Sequence, residues 1–167
     1  LSFMENQVLG YKSPLYGRRT CQFKINPFSF FEFRNYFTKF NAYDLAVIYG
    51  ITGGIPLYMS LMNDNLSLED NIRNNFLNTS AYLYEEPTNL IKQECRDPAQ
   101  YNSIIRAIAG GASRLSEISG KTGLDTAHTA SHLNKLTALG IVKKERPFGD
   151  TGTRKTIYAL VDSMFRF

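Results

Sequence analysis

The sequence predicts a mostly α-helical fold, in which a bundle of short helices is followed by a three-helix unit that ends in a β-hairpin. Three observations predict this fold. Between Pro27 and Cys95 the apolar residues recur at helical spacing, with helix stop signals at short intervals. From Asp97 to Leu160 three helical stretches precede two short strand-like runs around a Gly-containing tip. Ahead of both, only residues 20–25 alternate as a half-buried strand does.

Composition and cysteine usage narrow the class of protein. With 167 residues, 43% of them hydrophobic, the chain can bury a core in one or two small domains. The longest apolar run, Leu45–Tyr49, is far shorter than the roughly 20 residues of a membrane helix. The residues after Leu1 lack the layout of a secretory signal, and two distant cysteines suggest neither disulfides nor a cysteine metal site. We expect a soluble, cytoplasmic protein with no membrane partner.

Residues 1–26 are predicted to be the C-terminal remnant of a larger α/β core. A short helix over residues 3–9 is followed by a turn-rich stretch and then by one strand, in which Cys21, Phe23 and Ile25 would face inward. Because an isolated strand leaves its backbone donors and acceptors unpaired, we expect it to be the edge of a sheet that lies mostly outside this chain.

Residues 27–96 are predicted to form a compact bundle of five short helices. Each helix start has its own signal, which is a capping side chain, a proline in the first turn, or carboxylates near the helix N-terminus. The predicted helices are one capped by Ser29 that runs through Phe37, Ala42–Tyr49 with Gly50 as its stop, Pro56–Met62, one capped by Ser67 that runs through Leu77, and one from Glu85 through Cys95.

Residues 97–161 are predicted to form a winged helix-turn-helix, which is a three-helix unit followed directly by a two-stranded hairpin, the wing. The third helix would bury one apolar stripe made of Thr129, Leu133, Leu136 and Leu139. The predicted elements are a helix from Pro98 to Ala109 capped by Asp97, a two-turn helix around Leu115 and Ile118, a third helix capped by Asp125, and strands at Ile141–Arg146 and Lys155–Leu160.

This unit is a candidate for binding double-stranded DNA. Residues 1–95 carry 8 Lys and Arg against 9 Asp and Glu, net −1, whereas residues 96–167 carry 11 against 6, net +5. In a winged helix-turn-helix the third helix enters the major groove while the wing contacts phosphates. The candidate DNA-binding residues are Thr126, Ala127, Ser131, Asn134 and Lys135 on the third helix, and Lys143, Lys144, Arg146, Arg154 and Lys155 on the wing.

The helix face is nearly uncharged and has no Arg for guanine, so the five wing cations would hold DNA without specifying its sequence. The same fold can instead pack on its own protein or on a partner. Two alternatives therefore stay open at this point: an interdomain or protein–protein module without nucleic-acid contact, and a stand-alone transcriptional regulator.

Two candidate motifs for catalysis or metal binding each lack a residue that the motif requires. The run Gly120-Lys121-Thr122 looks like the end of a phosphate-binding loop, but Leu115 occupies the place of the earlier glycine and a helix precedes it. His128 and His132 have the spacing of a helical metal pair, but Thr129 stands where the zinc motif has Glu. We expect no catalytic residue and no metal site in this chain.

Four segments in collinear order carry a resemblance to a known family. They are Ser13–Arg19, Tyr49–Tyr58 with its Gly-Gly-x-Pro element, Tyr82–Pro87, and Tyr101–Ile105 leading into the winged helix. Together they resemble the prokaryotic AAA-type ATPases called the archaeal ATPase family, over nearly the whole chain. The resemblance implies that the helical bundle is a lid that responds to nucleotide.

The resemblance also implies what the chain lacks. In that family a Walker A loop, a Walker B strand and a sensor strand precede the segment that Leu1–Glu5 matches, and all three are missing here. The chain would therefore be no enzyme and hold no cofactor, while its parent would bind ATP and Mg. Arg18 or Arg19 would contact the nucleotide phosphate, and residues 162–167 would begin a linker to a further C-terminal region. The implied partners are the ATPase core or a neighbouring subunit, including a homo-oligomer.

Overall fold

A computed structural model describes residues 10–13, 16–18, 20, 21, 23, 25–146 and 155–167. Most of these residues are helical, and a single two-stranded antiparallel sheet accompanies the helices in the described ranges. In chain order the elements are α1 (Phe30–Tyr36), α2 (Ala42–Thr52), α3 (Pro56–Ser60), α4 (Leu68–Ile72) continued by a π-helical turn (Arg73–Leu77), α5 (Tyr82–Glu94), α6 (Pro98–Ala109), α7 (Leu115–Thr122), α8 (Thr126–Ala138), β1 (Val142–Glu145), β2 (Ile157–Leu160) and α9 (Ser163–Arg166).

The chain divides into two compact units. The first, here called the helical unit, comprises Asn26–Pro98 together with Asp162–Phe167. The second, here called the hairpin unit, comprises Ala99–Val161 together with the described residues up to Ile25. Among the residues that the structure describes, none of the helices has both the length and the apolar character to span a membrane.

The core of the helical unit is rich in aromatic side chains. Ser29 begins α1 with the predicted cap, since its Oγ accepts from the Glu32 amide at 3.4 Å while a Glu32 carboxylate oxygen accepts from the Ser29 amide at 2.8 Å. Phe33, in the first turn after this cap, is buried. Its ring centroid lies 5.1 Å from that of Phe37 and 5.3 Å from that of Tyr49. The first predicted helix is therefore confirmed with its Ser29 cap, and it ends at Tyr36 rather than at Phe37.

Further helix boundaries were predicted wrongly. α3 ends at Ser60 rather than at Met62. α2 does not stop at Gly50 but continues to Thr52, because a glycine inside a helix costs only about 1 kcal/mol and the extra turn buries Ile51. α5 begins at Tyr82 rather than at Glu85, which places Pro87 inside the helix. The earlier start buries the Leu83 side chain, and this burial outweighs the one helical hydrogen bond that the proline cannot donate.

The Gly53–Gly54 turn joins the beginning and the end of the helical unit. Both glycines have positive φ, +61° and +72°. The Phe28 amide donates to the Gly54 carbonyl at 2.9 Å, and a Cβ atom on Gly54 would collide with the Phe28 carbonyl oxygen. A Cβ on Gly53 would lie 3.1 Å from the hydroxyl of Ser163. The turn therefore requires glycine at position 54, where both conformation and space exclude a side chain.

The loop between α3 and α4 is held by one buried amide. Asn71 is 1% exposed. Its Nδ2 donates to the carbonyls of Asn63 and Ser67, each at 2.9 Å, and its Oδ1 accepts from the Asn63 amide at 2.8 Å. Because buried polar groups are stable only when they are hydrogen-bonded, this side chain fixes the loop and α4 together.

Residues 162–167, expected to begin a linker, pack onto the helical unit. Asp162 caps α9 by accepting from the Met164 amide at 2.9 Å, and Met164 is buried. The Phe167 ring meets that of Phe76 at 5.3 Å, and α9 packs against α2. Residues 162–167 therefore contribute the buried Met164 to the core of the helical unit.

The hairpin unit follows the predicted order of three helices and two strands. α6 buries Ile104, Ile105 and Ile108, and the α8 stripe buries Thr129, Leu133 and Leu136 completely. The fourth predicted member of the stripe, Leu139, lies beyond the end of α8 and is half-buried. β1 and β2 pair antiparallel with Val142 opposite Leu160 and Glu145 opposite Ile157. The predicted hairpin tip, residues 147–153, lies outside the described residues.

The predicted strand over residues 20–25 is not formed at the described positions. Cys21, Phe23 and Ile25 lie in irregular backbone, with Phe23 and Ile25 84% and 90% exposed. The inward orientation predicted for these three side chains is therefore wrong, because no strand that the structure describes pairs with this segment. The helix predicted over residues 3–9 lies outside the described residues.

Candidate nucleic-acid interface

The outward face of α8 is exposed where the sequence predicted a DNA-reading face. Asp125 begins the helix, since its Oδ1 accepts from the amides of Ala127 at 2.9 Å and His128 at 3.0 Å. With the stripe from Thr129 to Leu136 buried, helical periodicity turns the opposite side outward. The outward side chains are Thr126, Ala127, Ser131 and Asn134, which are exposed, and Lys135, which is half-buried.

The two histidines of α8 take part in contacts within the unit. The His128 Nδ1 pairs with the carboxylate of Asp125, and the His132 Nδ1 donates to the His128 carbonyl at 2.6 Å. The His132 ring also lies 4.4 Å from that of Tyr101. The backbone hydrogen bond from His128, followed by its side-chain bond, lowers the pKa of Asp125. No group of three metal-ligating side chains is found among the described residues.

The hairpin cations lie on two faces of the sheet rather than in one row. Lys144 stands opposite Tyr158, with its Nζ 5.9 Å from the ring centroid, on the same face as the buried Val142. Lys143 is on the other face, where its Nζ pairs with the carboxylate of Glu145. Lys144 therefore faces the helices, whereas the charge of Lys143 is partly neutralised.

A groove of about 440 Å³ lies between α7, α8 and the hairpin. Its walls combine cations, hydroxyl and amide groups, and apolar surface. The lining residues are Arg114, Leu115 and Ser116 at the start of α7, Thr126, Ala130 and Asn134 on α8, and Lys144, Thr156 and Tyr158 on the hairpin. Three of the predicted site residues, Thr126, Asn134 and Lys144, thus meet in one place.

The prediction missed Arg114, Ser116 and Thr156. Arg114 precedes α7 and is exposed at the mouth of the groove, and its charge also acts on the neighbouring Glu117. The carboxylate of the neighbouring Glu117 accepts from the amides of Ser113 at 2.9 Å and Arg114 at 3.0 Å, and these backbone bonds lower its pKa. The only sequence signal for Thr156 was that it lies two positions before Tyr158. In an extended strand this spacing places both side chains on one face.

Thr156 is the one buried polar side chain without a partner in the part of the chain that the structure describes. It is 6% exposed, and its Oγ1 makes no hydrogen bond with any described residue. An unpaired buried hydroxyl costs about 1 to 3 kcal/mol, so a fold does not retain one without compensation.

The remaining predicted cations lie elsewhere. Arg146 and Lys155, together with Glu145 and Ile157, line a second opening of about 530 Å³ at the outer end of the hairpin. Arg18, predicted to contact nucleotide, is exposed directly after a turn. Arg19 and Arg154 lie outside the described residues. The predicted cations thus contribute one member, Lys144, to the groove and two to the hairpin end.

Comparison with known proteins gives one match. The chain is 31% identical over 168 residues to an uncharacterized protein of Methanocaldococcus jannaschii. The match includes all of this chain but only 38% of that protein, so the chain spans about two fifths of the relative's length. No family model and no solved structure matches the chain.

Proposed function

We propose that the hairpin unit is a winged helix-turn-helix that binds double-stranded DNA through its phosphates. The helical unit would be the lid of an AAA-type ATPase, of which this chain is a non-catalytic C-terminal part. The observation that carries the DNA-binding proposal is that the exposed face of α8 and the hairpin cation Lys144 border one groove. A helix face next to a cationic hairpin is the arrangement that contacts a major groove and its flanking phosphates.

The connections of the hairpin support a winged helix. The Tyr158 amide donates to the Ser113 carbonyl at 2.7 Å, so the segment before α7 pairs with β2 as a short third strand would. The Val161 amide donates to the Ile141 carbonyl at 3.0 Å, which fixes the start and end of the hairpin to each other. The turn between α7 and α8 is made by Gly123 at φ +70°. The hairpin is thus tied to the helix pair that it would flank.

The chemistry of the α8 face supports DNA over a protein partner. Its exposed members are short and mostly polar, and none is acidic. A protein-docking module would be expected to present a contiguous apolar or mixed patch here, and Ala127 is the one apolar member of the exposed set. Because no outward residue of α8 is Arg, base-specific contacts would be few and phosphate contacts would dominate.

A protein contact is favoured instead for the segment ahead of α1. Phe23 and Ile25 are almost fully exposed, and large apolar side chains in that state mark surfaces that another protein covers. Under the proposal, the ATPase core would cover them. The Gly53–Gly54 turn, which contacts both Phe28 and Ser163, would then link nucleotide state to the rest of the lid.

Fluorescence anisotropy with a labelled duplex of about 20 base pairs tests the DNA-binding proposal on the whole chain. We expect weak binding with little sequence preference, and a steep fall in affinity with salt, at a log–log slope of about −0.9 per phosphate contacted. The double variant Lys144→Gln with Lys155→Gln should lose affinity and show a shallower slope.

The matched control is Arg34→Gln with Lys92→Gln, which removes two exposed cations from the helical unit. The proposal is wrong if no binding occurs at low salt, or if the two double variants lose affinity equally.

A further inference from the structure

The unpaired hydroxyl of Thr156 belongs to a groove that already holds two cations. Thr156 lines this groove with Arg114 and Lys144, yet its Oγ1 has no partner among the described residues. A threonine in this position could be replaced by valine, of the same shape, at no cost to packing. Rotation about the Cα–Cβ bond carries Oγ1 to another staggered position, so the hydroxyl can turn toward a bound group.

The rest of the groove is complementary in its chemistry to a nucleotide. Two cations suit a phosphate, and hydroxyl or amide groups from Ser116, Thr126 and Asn134 offer further hydrogen bonds. Leu115, Ala130 and the Tyr158 ring supply apolar wall, which suits the carbon face of a sugar. None of the described residues that line the groove is acidic.

We propose that this groove seats one sugar–phosphate unit of the DNA backbone, with Arg114 and Lys144 on the phosphate and the Thr156 hydroxyl as a donor to it. This inference rests on the proposed function and names the place where the DNA backbone is held. Thr156 then keeps its hydroxyl because DNA binding pairs it, at the expense of stability in the free protein.

Two variants of Thr156 test the seat. Thr156→Val removes the hydroxyl and keeps the shape, so the midpoint of thermal unfolding should rise while duplex affinity falls about tenfold, the value of one hydrogen bond to a charged group. Thr156→Ser keeps the hydroxyl and removes a methyl group, so it should lose stability and retain affinity. In Thr156→Val the unfolding midpoint and the duplex affinity must therefore move in opposite directions. If Thr156→Val binds the duplex as wild type does, or unfolds at a lower temperature, the seat does not exist.

A pair of variants that each remove one positive charge extends the test. Arg114→Gln should weaken duplex binding several-fold, whereas Arg106→Gln, the same change at an exposed position of α6 away from the groove, should leave it nearly unchanged. Equal losses would mean that net charge alone acts, and would overturn the inference.

A free nucleotide has the same chemistry as a unit of the DNA backbone and is the rival occupant of the groove. In competition, a deoxynucleoside 5′-monophosphate should displace the duplex only at millimolar concentration. Micromolar displacement would assign the groove to a small ligand and contradict a backbone seat. Wild type serves as the reference in every arm: if it does not bind duplex, the proposed function itself fails, whereas wild-type binding with unaffected groove variants overturns only the seat.

Discussion

The helical unit and the hairpin unit differ in how their buried polar side chains are hydrogen-bonded. In the helical unit the buried Thr52 hydroxyl donates to the Ile48 carbonyl at 2.8 Å, and the amide of Asn71 is fully engaged. In the hairpin unit Thr129 donates to the Asp125 carbonyl at 2.8 Å, but Thr156 has no described partner. The unpaired hydroxyl of Thr156 thus lies beside two cations and the exposed face of α8, where a ligand would supply the missing partner.

The largest effect is expected from a single methyl group in the helical unit. Gly54→Ala should destabilise the fold by about 3 kcal/mol or more, because the left-handed backbone strains alanine and its Cβ collides with the Phe28 carbonyl. Gly50→Ala is the control: it lies inside α2 with no atom within 4 Å of the new Cβ, and should stabilise by up to about 1 kcal/mol. Urea unfolding midpoints measure both, and equal midpoints would refute the tight contact at Gly54.

The next effect concerns the buried amide. Asn71→Leu should cost about 2 kcal/mol or more, because the Asn63 amide and the loop carbonyls lose their partner inside the protein. Hydrogen exchange should accelerate first at residues 62–67. Asn74→Leu, at an exposed position of the adjoining π-helical turn, should change the unfolding midpoint little. Similar losses in both variants would show that the loop does not depend on Asn71.

The two aspartate caps give opposite pH dependence in the two units. Burial raises the pKa of Asp162 above 3.8, although the Phe165 and Met164 amides partly oppose this. A raised pKa in the folded state means that its stabilising contribution is present below pH 3.8 and is lost as the pH rises through the folded value. Relative to Asp162→Asn, wild type should therefore lose stability as the pH rises.

Asp125 should behave in the reverse way. The His128 amide and side chain hold its pKa below 3.8, so its contribution is present above that value and is lost as the pH falls through the folded pKa. Relative to Asp125→Asn, wild type should gain stability as the pH rises. Thermal unfolding of both variants between pH 3 and 7 measures the two signs, and parallel curves would contradict the contrast between a buried and an exposed cap.

The smallest effect separates two adjacent lysines. Lys144→Gln should weaken duplex binding more than Lys143→Gln, because Lys144 borders the groove while Lys143 is paired with Glu145. The difference should be within about 1 kcal/mol, the usual scale for exposed charges. Anisotropy titrations at one salt concentration compare the two, and a larger loss for Lys143→Gln would reverse the assignment of the hairpin faces.

Local chemistry made part of this fold predictable. Ser29, Ser67 and Asp125 each cap the helix predicted for them, because capping depends on residues only two or three positions apart. The buried stripe of α8 follows from helical periodicity in the same way. The predicted stop at Gly50 failed because burial further along decides whether a helix continues past a glycine.

The sequence predicted the α8 residues of the candidate site but not the residues that the fold brings beside them. Thr126 and Asn134 could be named because a helix with one buried face must expose the other. Arg114 and Thr156 are 42 positions apart in the sequence and meet only through the folded hairpin. Their juxtaposition has no periodic signature, and an unpaired hydroxyl is visible only once every neighbour has been placed.

Amide chemical shifts of the whole chain, titrated with a short duplex at low salt, most directly test whether the hairpin unit contacts DNA. The account predicts perturbations concentrated at the start of α7, on the outward residues of α8 and along the hairpin, with the core of α1 and α2 unmoved. Shifts confined to the helical unit, or none at all, would contradict it.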